Sequence, residues 1–331
     1  MLMKVVDLHN HFIAPDVTAF LEREGRRFAT RIEERGGKRF FVIRDSAVRP
    51  LNEPISQASA RLRDMDGAGI DVQAVSCVPF LMYPEVEAAL ALAMAKINND
   101  GLAALAARHP DRFVGLASVP LQDPVSAARE LERAAGLGLR GVEIPPRLPG
   151  RDLDDPALGV FWEAAAALRM LVCIHPFDAA PQGAMARFNL GNLVGNLYDT
   201  GLAAALLVYG GVLQRHPELR IVLYHAGGAF PVLLARLDKG YEVFPDCRTA
   251  IPRPPSAYVE QLWFDILAFD RTVLRQLVDR FGAQRFVIGT DYPLPFGLER
   301  PVAEVRALGL ERDAEAAILG TNASALLRLE T

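Results

Sequence analysis

Lysine is nearly missing. Of the 36 basic residues only Lys4, Lys38, Lys96 and Lys239 are lysines, and the arginines that make up the rest are interspersed with acids, to a net charge of -4. Such a chain has no electrostatic footprint for nucleic acid. Three cysteines, Cys77, Cys173 and Cys247, are too few and too scattered for a disulfide framework or a zinc ribbon, which points to a reducing, cytoplasmic setting. The first residues lack the basic region and apolar core of a signal peptide, and the longest apolar stretch, around LAAALLVYGGVL, is too short to span a bilayer. No short repeat and no low-complexity segment is present. The partners left are a small molecule and copies of the chain itself.

What is abundant is alternation. Runs rich in Val, Ile and Leu at 4-9, 71-79, 112-120, 139-145, 170-176, 219-225, 261-267 and 284-293 predict eight strands. Helical periodicity fills 85-108, 124-137, 155-169, 201-216, 229-243 and 270-282, with several stretches ending at Gly or before Pro. The expectation is a (β/α)8 TIM-like barrel over 1-331, with an insertion after strand 1 at about 12-56 and a helical C-terminal tail from 293. Within the insertion, KRFFVIRDS predicts a small hairpin over the barrel mouth. A doubly wound open sheet gives a similar linear pattern.

In a barrel the working groups sit at the C-terminal ends of strands. Here those ends carry His9 and His11, then His175, His225 and Asp291. Residues i and i+2 of a strand share a face, so His9 and His11 can grip one ion. Three imidazoles and a carboxylate make a first coordination shell for one catalytic divalent metal, zinc first, with manganese or cobalt also fitting. His109 and His216, each in an RHP at a helix end, read as structural. Asp265 in WFDIL reads as a buried, hydrogen-bonded strand residue and Cys173 as an apolar filler. GLGLRG at 136-141 closes a helix and precedes a strand, the reverse of what dinucleotide binding needs, so it is a turn.

The motifs DLHNHF, IHPFD, HAGGAFP and GTDYPLPFG, with VIRDS and long blocks between them, resemble the amidohydrolase superfamily, in its amidohydrolase-2 branch around aminocarboxymuconate-semialdehyde decarboxylase. The resemblance implies that His9, His11, His175 and Asp291 bind the metal and that His225 is the acid/base. It implies Arg44 as the holder of a substrate carboxylate, and a homodimer in which Arg236 reaches the neighbouring copy's pocket. Relatives with two metals bridge them by a carboxylated lysine after the fourth strand; no lysine stands there, so one metal is expected, with Glu143 as the alternative bridge. Asn189 and Asn192 stand where the semialdehyde decarboxylase has tryptophans, Phe177 replaces another tryptophan and Leu294 a phenylalanine, so the pocket is expected to be more polar. The implied activity is a metal-dependent, non-oxidative decarboxylase of a small unsaturated or aromatic carboxylic acid, a carboxy-lyase. A hydrolase or lactonase on the same scaffold is the alternative.

Overall fold

Parallel strands form at all eight apolar runs, the first displaced by two residues and the other seven shorter than their runs: β1 Val6–His11, β2 Val72–Ser76, β3 Phe113–Ala117, β4 Gly141–Ile144, β5 Leu171–Ile174, β6 Ile221–Leu223, β7 Leu262–Asp265 and β8 Phe286–Val287. The structure, a computed structural model, describes residues 3–45, 47–177 and 183–329. Ser46 and Asp178, which close the motifs VIRDS and IHPFD, lie outside the described residues. The strands pair side by side in chain order. The ring closes just past β8, where Leu8 N donates to Ile288 O (2.9 Å) and His11 N to Tyr292 O (2.8 Å). An open doubly wound sheet would keep two edges and reverse its strand order, so the architecture is a (β/α)8 barrel.

A helix follows each strand: α1 Ala58–Ala68, α2 Ala88–Arg108, α3 Pro124–Gly136, α4 Gly159–Ala167, α5 Asn196–Tyr209, α6 Phe230–Val243, α7 Arg271–Phe281 and α8 Pro301–Arg306. Local chemistry starts them. Asp123 caps α3, accepting from Ser126 N at 3.3 Å with Pro124 next in line, and Asp270 caps α7 through Thr272 N and Val273 N. The expected helix 201-216 is instead broken. Gly211 turns left-handed (φ 72), and Val212–Arg215 forms a separate turn. His109 and His216 do lie at helix ends.

The insertion is richer than a hairpin. A helix, Pro15–Glu24, leads into a three-stranded antiparallel sheet of Thr30–Arg35, Lys38–Ile43 and Ala47–Pro50. Gly36 and Gly37, both at positive φ, make its two-residue turn. The tail ends in a helix, Asn322–Leu327, whose Ala323, Leu326 and Leu327 plug the foot of the barrel against Val6, Leu8 and Val287.

One irregularity positions the site. Against β2, Asp7 pairs with Gln73 and Asn10 with Val75, so β1 spends three steps where β2 spends two. This bulge resets the alternation. Val6 and Leu8 face the inner cluster of the barrel, and so do His9 and His11 beyond the bulge, while Asp7 and Asn10 face outward. Simple alternation accounts for the pair of imidazoles but not for the two aliphatics beneath them.

Candidate metal centre

Five of the predicted side chains meet at the mouth of the barrel. Asp291 Oδ1 lies 3.0 Å from His11 Nε2, 3.3 Å from His9 Nε2 and 3.8 Å from His175 Nε2, and Asp291 Oδ2 is 4.0 Å from His225 Nε2. Ligand atoms of His9, His175, His225 and Asp291 all fall within 4.8 Å of one another. Bonds of about 2.1 Å in a tetrahedral shell put neighbouring donors about 3.4 Å apart. The spacing fits a single divalent ion.

The far side of each ring decides which imidazoles would be ligands. His9 Nδ1 is bonded to Asp265 Oδ2 at 2.7 Å, His11 Nδ1 to the Cys77 carbonyl at 2.9 Å, and His175 Nδ1 to the Pro176 carbonyl. Each bond fixes a proton on Nδ1 and turns Nε2 to the centre, the usual second-layer support of a metal-binding histidine. His9 Nε2 and His175 Nε2 are buried without a partner, which is the signature of a donor waiting for a cation. His225 differs. Its Nδ1 has no partner, so its ring is not tied back.

The electrostatics follow from this crowding. Burial disfavours a charged imidazole at His9, but Asp265 and Asp291 outweigh it and lift its pKa to about 10. Burial pushes His175 well below the ordinary histidine range, and His11 is also lowered by burial. Burial works against the Asp291 carboxylate, yet the surrounding imidazoles hold it well below the usual carboxylate range. The centre therefore keeps its carboxylate ionised beside neutral His11 and His175, while His9 holds a proton that a bound cation would displace.

Backbone strain aims these groups. His225, Ala226 and Asp291 have φ values of 56, 53 and 56°, outside the comfortable range of residues with a side chain. Asp265 holds the first two, accepting from His225 N at 2.9 Å and Ala226 N at 2.6 Å. A Cβ on Gly227 would meet the Phe264 ring at 2.6 Å, and one on Gly289 would meet Asp265 and His9 Cβ at 2.7 and 2.8 Å. The glycines of HAGG and GTD are thus required for close approach.

Asp265 and Tyr224 are the supporting residues that motif reading undervalued. Asp265 is a buried, hydrogen-bonded strand residue as expected, but its partners are His9 and the His225 turn. The Tyr224 ring stacks on His9 at 3.7 Å. The signal for both was position, at the C-terminal ends of β7 and β6. Glu143 points inward and accepts from Ser76 Oγ at 2.7 Å; the four clustered ligand atoms include neither Glu143 nor His11, although His11 Nε2 lies 3.0 Å from Asp291 Oδ1. Among the described residues this is the single metal-type cluster. Cys173 lies fully buried in the inner cluster as a filler.

The predicted substrate residues divide. A cavity of about 370 Å³ opens on His225 and Asp291 and is walled by Asn192, Asn196, Leu197, Leu267, Phe269 and Phe296. A second, of about 670 Å³, holds Arg44 and Phe177, and the two meet at Asn196. Arg44 is ion-paired to Glu85 there, a partner that sequence reasoning missed. Asn189 is not brought to either cavity. It is exposed with φ 57°, and its carbonyl accepts from Asn192 N and Leu193 N, so Asn192 takes the wall position. Leu294 packs against the main core, and Phe296 lines the cavity in its stead. Arg236 is exposed on α6 and borders neither cavity.

The sequence pattern of a family described as Amidohydrolase matches residues 6–329. The chain belongs to the amidohydrolase family. A 2-amino-3-carboxymuconate-6-semialdehyde decarboxylase of Dictyostelium discoideum is 30% identical over 98% of this amidohydrolase chain and 92% of its own. The crystal structure of 5-carboxyvanillate decarboxylase from Sphingomonas paucimobilis superposes with a TM-score of 0.82 at 25% identity, covering 99% of this chain and all of that one. A dihydroxybenzoic acid decarboxylase from Polaromonas sp. JS666, solved with bound manganese and 2-nitroresorcinol, has the same fold at a TM-score of 0.79 and 23% identity, over 99% of this chain and 98% of that one. No helix among the described residues is long and apolar enough to cross a membrane.

Proposed function

We propose that this amidohydrolase is a metal-dependent, non-oxidative decarboxylase of a small unsaturated or aromatic carboxylic acid. The carrying observation is the contrast among imidazoles: three have Nδ1 tied back and Nε2 turned to Asp291, while His225 stands untethered at the wall of an apolar cavity. His9, His11, His175 and Asp291 would hold the ion. A divalent ion bound there supplies Lewis acidity to the charge that develops on the substrate. Decarboxylation needs a proton on the carbon that bears the carboxylate; the C–C electron pair then returns to the unsaturated system as carbon dioxide leaves. His225 would deliver that proton, its untethered imidazole suiting an acid/base. Arg44 would hold the substrate's carboxylate in place of Glu85, a task for a planar two-pronged donor. The decarboxylase activities of the relatives support this reading over the hydrolase or lactonase one.

The donor set suits zinc and also accepts manganese, the ion in the Polaromonas relative, or cobalt. A homodimer in which Arg236 enters the neighbouring copy's cavity completes the reading. It is supported by the exposed apolar side chains Val232, Val243 and Phe244 on and just after the same helix.

The test is His225→Asn, assayed against hydroxylated and aminated benzoates and related unsaturated acids. Elemental analysis should show about one divalent ion per chain in both proteins, with carbon dioxide release falling about 10²- to 10⁴-fold in the variant. Retained turnover would remove the acid/base role, and lactone hydrolysis without carbon dioxide would favour the hydrolase.

A further inference from the structure

At the foot of the barrel, opposite the metal centre, lies a cavity of about 930 Å³, larger than either cavity at the mouth. Its walls carry Arg169, Arg220, Arg253, Arg285 and Arg328 against only Glu218 and Glu260. The placement is systematic. Arg140, Arg220 and Arg285 each stand one residue before a strand, at β4, β6 and β8, and Arg169 stands two before β5. The strand starts of a barrel form a ring, and Arg169, Arg220 and Arg285 all line the one cavity there.

One other arginine at a strand start is neutralised locally. Arg112, one residue before β3, is paired to Asp66 at 2.7 Å. Among the described residues no carboxylate lies within ion-pair distance of Arg140, Arg169, Arg220 or Arg328. Arg328 lies below the ordinary arginine range, through burial first and then the charges of Arg140, Arg169 and Arg220, so these four guanidinium groups sense one another. Two of them also occupy strained backbone: Arg169 and Arg328 each have φ 52°, just past the ends of α4 and of the helix Asn322–Leu327, where glycine is the unstrained choice. Like charges gathered in a protein of net charge -4, two of them on backbone suited to glycine, are a poor arrangement for stability alone. A bound anion accounts for it.

We infer that the foot of the barrel is a second binding site, for a small, multiply charged anion of the phosphate class. Guanidinium forks match phosphate oxygens two at a time, and several converging forks suit a multivalent ligand. Trp263, half-buried under the Arg285 guanidinium (4.9 Å to the ring centroid), adds an apolar floor. The acidic chain around it favours a small molecule over a nucleic acid.

The experiment titrates the full-length protein with inorganic pyrophosphate at constant ionic strength and a fixed free concentration of the divalent ion. Calorimetry and the melting temperature are the readouts. Pyrophosphate should bind the wild type and raise its Tm by about 2–4 °C over matched chloride. Arg169→Gln with Arg220→Gln should weaken binding at least about tenfold. Arg328→Gly should lose binding while raising the melting temperature of the unliganded protein, because glycine fits the left-handed position and one like charge is gone. Equal binding in the double variant, or no binding to the wild type, overturns the proposal. So does binding that appears only in Glu330→Gln, which would assign the arginines to the chain's own carboxylate. An oligonucleotide that outcompetes pyrophosphate also overturns it.

Discussion

The two faces of β1 are equally buried and both carry polar side chains, yet those are finished differently. On the outer face Asp7 accepts from Gln73 Nε2 (3.0 Å) and Thr290 Oγ1 (2.7 Å). Asn10 donates to the carbonyls of Asp7 and Ala74, and the fully buried Arg61 donates to Asn10, Gln73 and the His11 carbonyl. Only Arg61 Nε is left over, and its guanidinium lies 4.8 Å over the Tyr292 ring. On the inner face His9 Nε2, His175 Nε2 and His225 Nδ1 have no partner. Burial does not separate a structural polar cluster from a reactive one, because a fold closes the first upon itself and leaves the second open.

The largest effect should come from opening the inner face further. Asp291→Ala and His9→Ala should each empty the metal site, with carbon dioxide release down at least about a thousandfold and the fold intact by circular dichroism. Full metal content in either variant would dissolve the distinction between the faces. On the outer face Arg61→Met should act on stability instead. It strands Asn10 and Gln73 without their donor and should cost about 3–5 kcal/mol in denaturant unfolding. A loss below about 1 kcal/mol would show the outer network to be incidental.

The inner face was legible in the sequence and the outer face was not, for a physical reason. His9, His11, His175, His225 and Asp291 announce themselves because few residue types bind metals and strand ends are easy to find. Arg61 sits in RLRDMDG, among charges that look like a solvated helix face, and only the closed barrel shows that it is buried behind β1. The bulge between Asp7 and Asn10 has no glycine to mark it. The third strand of the insertion escaped notice because AVRP, with an arginine and a proline, carries little strand pattern. Of the two asparagines expected at the pocket wall only Asn192 lines it, because the left-handed turn at Asn189 leaves that residue exposed, and backbone reversals of that kind leave no periodic trace.

Asp265 joins the two kinds of finish, since it is satisfied itself and orients a donor that is not. Asp265→Asn removes the charge that holds the proton on His9 Nδ1 and weakens the clamp on the His225 turn. Metal affinity should fall about 10- to 100-fold, measured against a competing chelator, with a smaller change in melting temperature. An unchanged affinity would make Asp265 a strand residue and nothing more.

The smallest effect concerns a group on the inner face that is satisfied by half. Glu143 accepts from Ser76, but its Oε1 has no partner, and burial lifts its pKa from 4.5 to about 8. A carboxyl with a raised folded pKa binds its proton more tightly when folded. The metal-stripped protein should therefore lose stability as pH climbs from about 4.5 to about 8, at up to about 1.4 kcal/mol per pH unit from this group. Glu143→Gln keeps the shape and the Ser76 bond without the titration. The variant should match the wild type near pH 5 and exceed it at pH 8, as read by denaturant melts of chelated protein. If both proteins lose stability equally over that range, Glu143 is ionised in the fold, and the inner face holds a second carboxylate near the metal rather than a neutral acid beneath it.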